Sequence, residues 1–174
     1  MQGNSLIAEN NSDSIGGGVY VENGSLTMNE NSRISNNSTK NLGGGVYLSN
    51  SKLIMNNNSL ITNNNAIYSN GKGVVSSGGG IYCYETCEIT MRNNSGITEN
   101  ISEGHGGGIY LVGTSKLIMY NNSMITRNKS NTRGGGVWLR SQKNQLVQDG
   151  GTISENIVDG APAYRVDIFR ESGQ

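Results

Sequence analysis

Three glutamates at one recurring position, Glu9, Glu99 and Glu155, are the residues with which this chain of 174 residues would do acid–base chemistry. Each stands two residues after an isoleucine, in the series Glu9, Asn36, Asn63, Glu99, Arg127, Glu155. On stacked strands Glu99 and Glu155 fall two rungs, roughly 9–10 Å, apart. That is near the upper end of the carboxyl separation of an inverting glycosidase, about 6.5–9.5 Å. Arg127 lies between them, and a cation on the intervening rung holds both carboxylates ionised instead of raising one into a general acid. The series reads as a neutralising surface ladder, with polysaccharide cleavage as the alternative.

Other reactive groups are few. His105 is the sole histidine, and with only Cys83 and Cys87 as soft ligands there is no zinc spacing, no calcium-binding glycine–aspartate repeat, and so no expected metal or cofactor. Cys83 falls in an inward column and Cys87 in a turn; they close a small disulfide loop if the chain is exported, and otherwise Cys83 is a core residue. The Gly-Gly-Gly triplets are followed by Val or Ile and a strand, not by the Lys-Ser/Thr and helix of a phosphate loop. They are expected to supply positive φ and close backbone approach at stacked turns.

An aromatic column, Tyr20, Tyr47, Tyr82, Tyr110 and Trp138, is expected to point outward. It reads either as a stack that stabilises neighbouring strands or as an exposed ribbon that binds glycan or a protein surface. Ice binding is a third function class. The column Ala8, Ser35, Thr62, Thr98, Thr126, Ser154 would serve it, but its neighbours two residues back never complete a Thr-x-Thr plane.

These residues need a repeating frame, and the triplets at 16–18, 43–45, 78–80, 106–108 and 134–136 supply it, with steps of 27, 35, 28 and 28 residues. Behind each triplet the second unit shows the pattern best: Val46-Tyr47-Leu48, Lys52-Leu53-Ile54-Met55 and Leu60-Ile61-Thr62. Apolar positions alternate within each segment, so one face of each strand is inward. The inward columns are Val19, Val46, Ile81, Ile109, Val137; Leu26, Leu53, Ile89, Leu117, Leu146; and Met28, Met55, Met91, Met119, ended by Gln148. Short β-branched segments between Gly, Asn and Ser clusters exclude helices. The expectation is one all-β domain over 1–174, a right-handed parallel β-helix of about five to six coils with three short strands each. Asn10, Asn37, Asn64, Asn100, Asn128 and Asn156 recur three residues after an isoleucine in every unit. Their amides both donate and accept, which predicts a hydrogen-bonded structural ladder along the axis.

Gly-Gly-Gly-Val-Tyr, a strand, then Asn-Ser-x-Ile-Thr-x-Asn, with Gly-Gly-Thr-Ile-Ser-Glu-Asn at 150–156, resembles the repeats of polymorphic outer membrane proteins and related bacterial adhesin-like β-helices. The resemblance covers nearly all of residues 4–156, although isoleucine stands where that family's aromatic-x-x-Asn element has its aromatic. It implies a right-handed β-helix displayed outside the cell, as an adhesin or stalk, and carries over no catalytic residues.

Thirteen basic residues balance thirteen acidic ones, no basic run occurs, and no apolar stretch is long enough to cross a membrane. Nucleic acid and direct membrane insertion are therefore not expected. The first residues lack the features of a signal peptide, so the chain is read as cytosolic or as a piece of a longer secreted chain. Three further expectations concern its margins. Residues 1–15 form an incomplete first coil, with no cap before Asn4–Asn10, and continue into further coils or another chain. Residues 65–77 form an insertion, read either as a binding loop or as a hairpin around Asn70-Gly71. Residues 157–174 cap the opposite end.

Overall fold

Each coil turns where a residue adopts the left-handed conformation. In the second coil those residues are Glu30, Asn36, Gly43 and Asn50, with φ of 58°, 55°, 71° and 47°. The same four positions are left-handed in the next coil, at Asn57, Asn63, Gly78 and Glu85. Asparagine and glycine reach that region at little cost, which suits them to these turns. The computed structural model describes residues 1–67, 75–159 and 167–171.

Between the turns run short strands, and every pairing is parallel, each strand with its copy one coil away. Among the described residues there is no helix, and the stacked coils make a parallel β-solenoid of about five turns. The registers are those that the sequence columns require: Val46↔Ile81, Leu53↔Ile89, Met55↔Met91 and Ile61↔Ile97.

The strands fall into three sheets. The second and third sequence segments, divided by a left-handed turn at Glu30 and Asn57, belong to one nine-stranded sheet and run on as a single strand at Lys116–Thr126. A six-stranded sheet is made of two-residue strands directly after the asparagine column, such as Ser38–Thr39 and Ile101–Ser102, which the three sequence segments did not include. Its inward residues, Thr39, Ala66, Ser102 and Ser130, are small and mostly polar, so no hydrophobic alternation marked it. The third sheet holds Val46–Ser49 and its copies.

The core is one file of apolar side chains down the axis, with Val46, Leu48, Leu53, Met55 and Ile61 fully buried in a single coil. Gln148 is exposed where the methionine column ends. At the insertion, Asn65–Ala66 still pairs with its neighbours on both sides, so these residues belong to the coil and not to a hairpin. The proposed Asn70-Gly71 turn lies outside the described residues. At the far end, Ile157–Val158 continues the two-residue sheet and Ile168–Arg170 continues the third, so the frame persists past the expected start of a cap.

Candidate functional site

The asparagine column forms the ladder its spacing predicts. Each Nδ2 donates to the Oδ1 of the asparagine one coil on, at 2.9–3.0 Å from Asn10 through Asn128. The same Oδ1 also accepts the preceding asparagine's backbone N–H, as in Asn64 to Asn100 at 3.0 Å. The second Nδ2 hydrogen reaches back to an isoleucine carbonyl, Asn100 to Ile61 at 3.0 Å. Asn37, Asn64, Asn100, Asn128 and Asn156 are almost wholly buried, so their bonding capacity is spent inside the wall. The last rung closes on Asp167, whose Oδ1 accepts both the Nδ2–H and the backbone N–H of Asn156, at 2.9 and 3.0 Å. A carboxylate only accepts, which suits the end of a ladder that only donates. Asp167 was invisible in the sequence because it lies outside the repeat.

The carboxylate column occupies left-handed turns: Glu9, Glu99, Arg127 and Glu155 have φ of 56–59°. Arg127 Nε lies 3.2 Å from Glu99 Oε1, an ion pair between neighbouring coils. The hydroxyls considered for ice binding are covered: Ser35, Thr62 and Thr98 are buried, and Thr98 Oγ1 donates to Thr62 Oγ1 at 3.1 Å. Cys83 and Cys87 are both free and buried in the core, and burial pushes the Cys83 thiol well above its usual range. Among the described residues no cluster of three or more His, Cys, Asp or Glu side chains is placed to hold a metal ion.

The aromatic column does lie on the far side of its sheet from the axial core, but it is not an exposed ribbon. Tyr20 is 48% exposed, whereas Tyr47, Tyr82, Tyr110 and Trp138 are 4–8% exposed. Their rings stack along the axis at centroid separations of 5.4, 5.3, 5.1 and 4.5 Å, with Phe169 next at 6.1 Å from Trp138. Tyr20, Tyr47 and Tyr82 stack face to face, whereas Tyr110 is tilted by 37° to Tyr82 and Trp138 by 54° to Tyr110. Burial also pushes the Tyr47 phenol up to about 12.

The walls beside this stack come from two columns. One precedes each triplet and forms a line of isolated bridges, Ile15, Leu42, Ser77, His105, Arg133. The other lies two residues beyond each ring, as at Val112 and Arg140. Ile15, Leu42 and Val112 pack on the rings, but toward the carboxyl end the walls become polar. There a groove of about 720 Å³ opens, lined by Tyr82, His105, Tyr110, Thr132, Arg133, Trp138, Arg140 and Glu171 among others. Burial, then Arg133 and Arg140, hold the His105 imidazole down at about 4, so it is neutral in this site. Thr132 Oγ1 bonds to His105 Nδ1 and to Gly104 O. Arg133 pairs with Glu171 at 3.9 Å and lies over Phe169.

The structure thus gathers Tyr82, Tyr110 and Trp138 at one groove, leaves Tyr20 apart on the open surface, and adds Arg133, Arg140, Thr132 and Glu171. Arg133 and Arg140 carry no repeating signal, because their columns keep the frame of the coil while the residue type changes from one coil to the next. Comparison with known protein families, with curated proteins and with solved structures finds no match to this chain.

Proposed function

We propose that the chain is a non-catalytic adhesin or stalk module, displayed at a cell surface or outside the cell as part of a longer secreted chain, that holds glycan or protein on its outward faces. The observation that carries this reading is the groove over Tyr82, Tyr110 and Trp138, whose polar walls span successive coils of a rigid frame. Ligand sites of this kind are concave, with an apolar floor and a few placed polar groups. The resemblance of the glycine–asparagine repeats to surface-displayed β-helices supports the location. The Glu99–Arg127 ion pair supports binding over cleavage, because it engages that carboxylate with the guanidinium of the next coil.

The test is to screen the intact chain against immobilised polysaccharides and host surface proteins while assaying the same polysaccharides for chain scission. Retention without scission is the expected outcome. Scission that is lost in Glu99→Gln or Glu155→Gln would replace this reading with the polysaccharide-degrading one.

A further inference from the structure

Trp138 is 4% exposed, and its indole Nε1–H has no hydrogen-bond partner among the described residues. A buried donor left unpaired is costly, so such a group in a groove calls for an acceptor. Arg140 is exposed and lines the same groove as Tyr110 and Trp138. Arg133 has its carboxylate in Glu171, whereas Arg140 makes no ion pair among the described residues. The groove therefore holds a surplus of donors and of positive charge.

The geometry points to an acidic saccharide as the ligand of this groove, its carboxylate taken by the Trp138 Nε1–H and the Arg140 guanidinium. The inference rests on the binding role proposed above and supplies the ligand's chemistry. A neutral sugar would be expected to lie flat on an exposed aromatic face, but Tyr82, Tyr110 and Trp138 are only 4–7% exposed and offer none. A carboxylate presents two acceptors to a guanidinium fork and an adjacent N–H, an arrangement in which charge-assisted bonds are strong. Tyr82 and Tyr110, paired on successive coils about 4.8 Å apart, both line the groove and bring phenol hydroxyls to it at a spacing that suits a chain of hydroxylated rings. Two further outward-facing columns support no such site, since their amides and hydroxyls already bond to one another.

The experiment is calorimetric titration of the intact chain with a tetramer of β-1,4-linked glucuronic acid, with the corresponding glucose tetramer, and with a short poly-glutamate peptide. The expected result is binding of the uronic acid tetramer alone, weakened by about tenfold or more in Arg140→Gln and in Trp138→Phe at unchanged melting temperature. Equal binding of the glucose tetramer would overturn the acidic ligand while leaving the glycan-binding role intact. Equal binding of poly-glutamate would overturn the saccharide in favour of an acidic protein surface. No binding of any probe, together with an empty polysaccharide and protein screen, would overturn both readings. If Trp138→Phe lowers the melting temperature, Arg140→Gln decides, because Arg140 is exposed.

Discussion

Asp167 tests how much the end of a hydrogen-bonded column matters. In Asp167→Ala the backbone and side-chain N–H groups of Asn156 lose their acceptor, and a loss of about 1–3 kcal/mol is expected in denaturant unfolding. Asp167→Asn keeps an oxygen in place and should cost clearly less. The left-handed turns offer the opposite change. Glu155 holds φ 59°, where a non-glycine residue carries a penalty of about 1–2 kcal/mol that asparagine partly escapes, so Glu155→Asn should stabilise by about 0.5–1 kcal/mol. His105 faces Arg133, Arg140, Tyr110, Trp138 and Thr132, and its folded pKa of about 4 lies below the ordinary 6.5. The unfolded chain binds the proton first, so this contribution is complete above pH 6.5 and is lost as pH falls toward 4. After allowance for its half-exposed position, wild type should lose about 1 kcal/mol more than His105→Gln across that window, measured by urea unfolding. Of these residues, the ladder asparagines were legible because they recur without change. Asp167 and Arg140 were not, since a single residue outside the pattern carries no periodic signal.

Among the repeated elements, the triplet does more than reverse the chain. A Cβ on Gly107, the middle glycine of its triplet, would lie 2.4 Å from the carbonyl oxygens of both Gly135 and Lys129. Both obstacles are backbone, one in the next coil's triplet and one in the two-residue sheet, so neither can swing aside. Gly107→Ala is expected to destabilise by about 3 kcal/mol or more, or to leave the chain insoluble, whereas an alanine at exposed Glu155 should be folded. Thermal melting of both variants checks this. The strands with a hydrophobic face were fully readable, down to register. The two-residue strands were not, because two residues are too few to show a period and their inward members are Ser, Thr and Ala. The outward placement of Tyr47, Tyr82, Tyr110 and Trp138 was readable too. Their burial was not, because it depends on wall residues such as Leu42 and Val112 that strand alternation does not bring to notice.

As a whole the molecule is one-dimensional: each coil touches its neighbours, and stability is carried by nearest-neighbour interfaces. Coils with a partner on both sides should open last. Amide hydrogen exchange is expected to be slowest in Val46–Ser49, Ile81–Tyr84 and Ile109–Leu111, and faster in Val19–Glu22, which pairs on one side and leaves Tyr20 exposed. Uniform protection across all coils would show instead that the solenoid opens only as a unit. The asparagine ladder gives this rod a direction. Every side-chain amide in it points its N–H toward the carboxyl-terminal coils and its carbonyl the other way, so the amide dipoles add instead of cancelling. The positive pole of that sum falls at Asn156, where the carboxylate of Asp167 meets it, as an anion meets the start of a helix. A wall built of neutral residues thereby acquires an electrical polarity along its length.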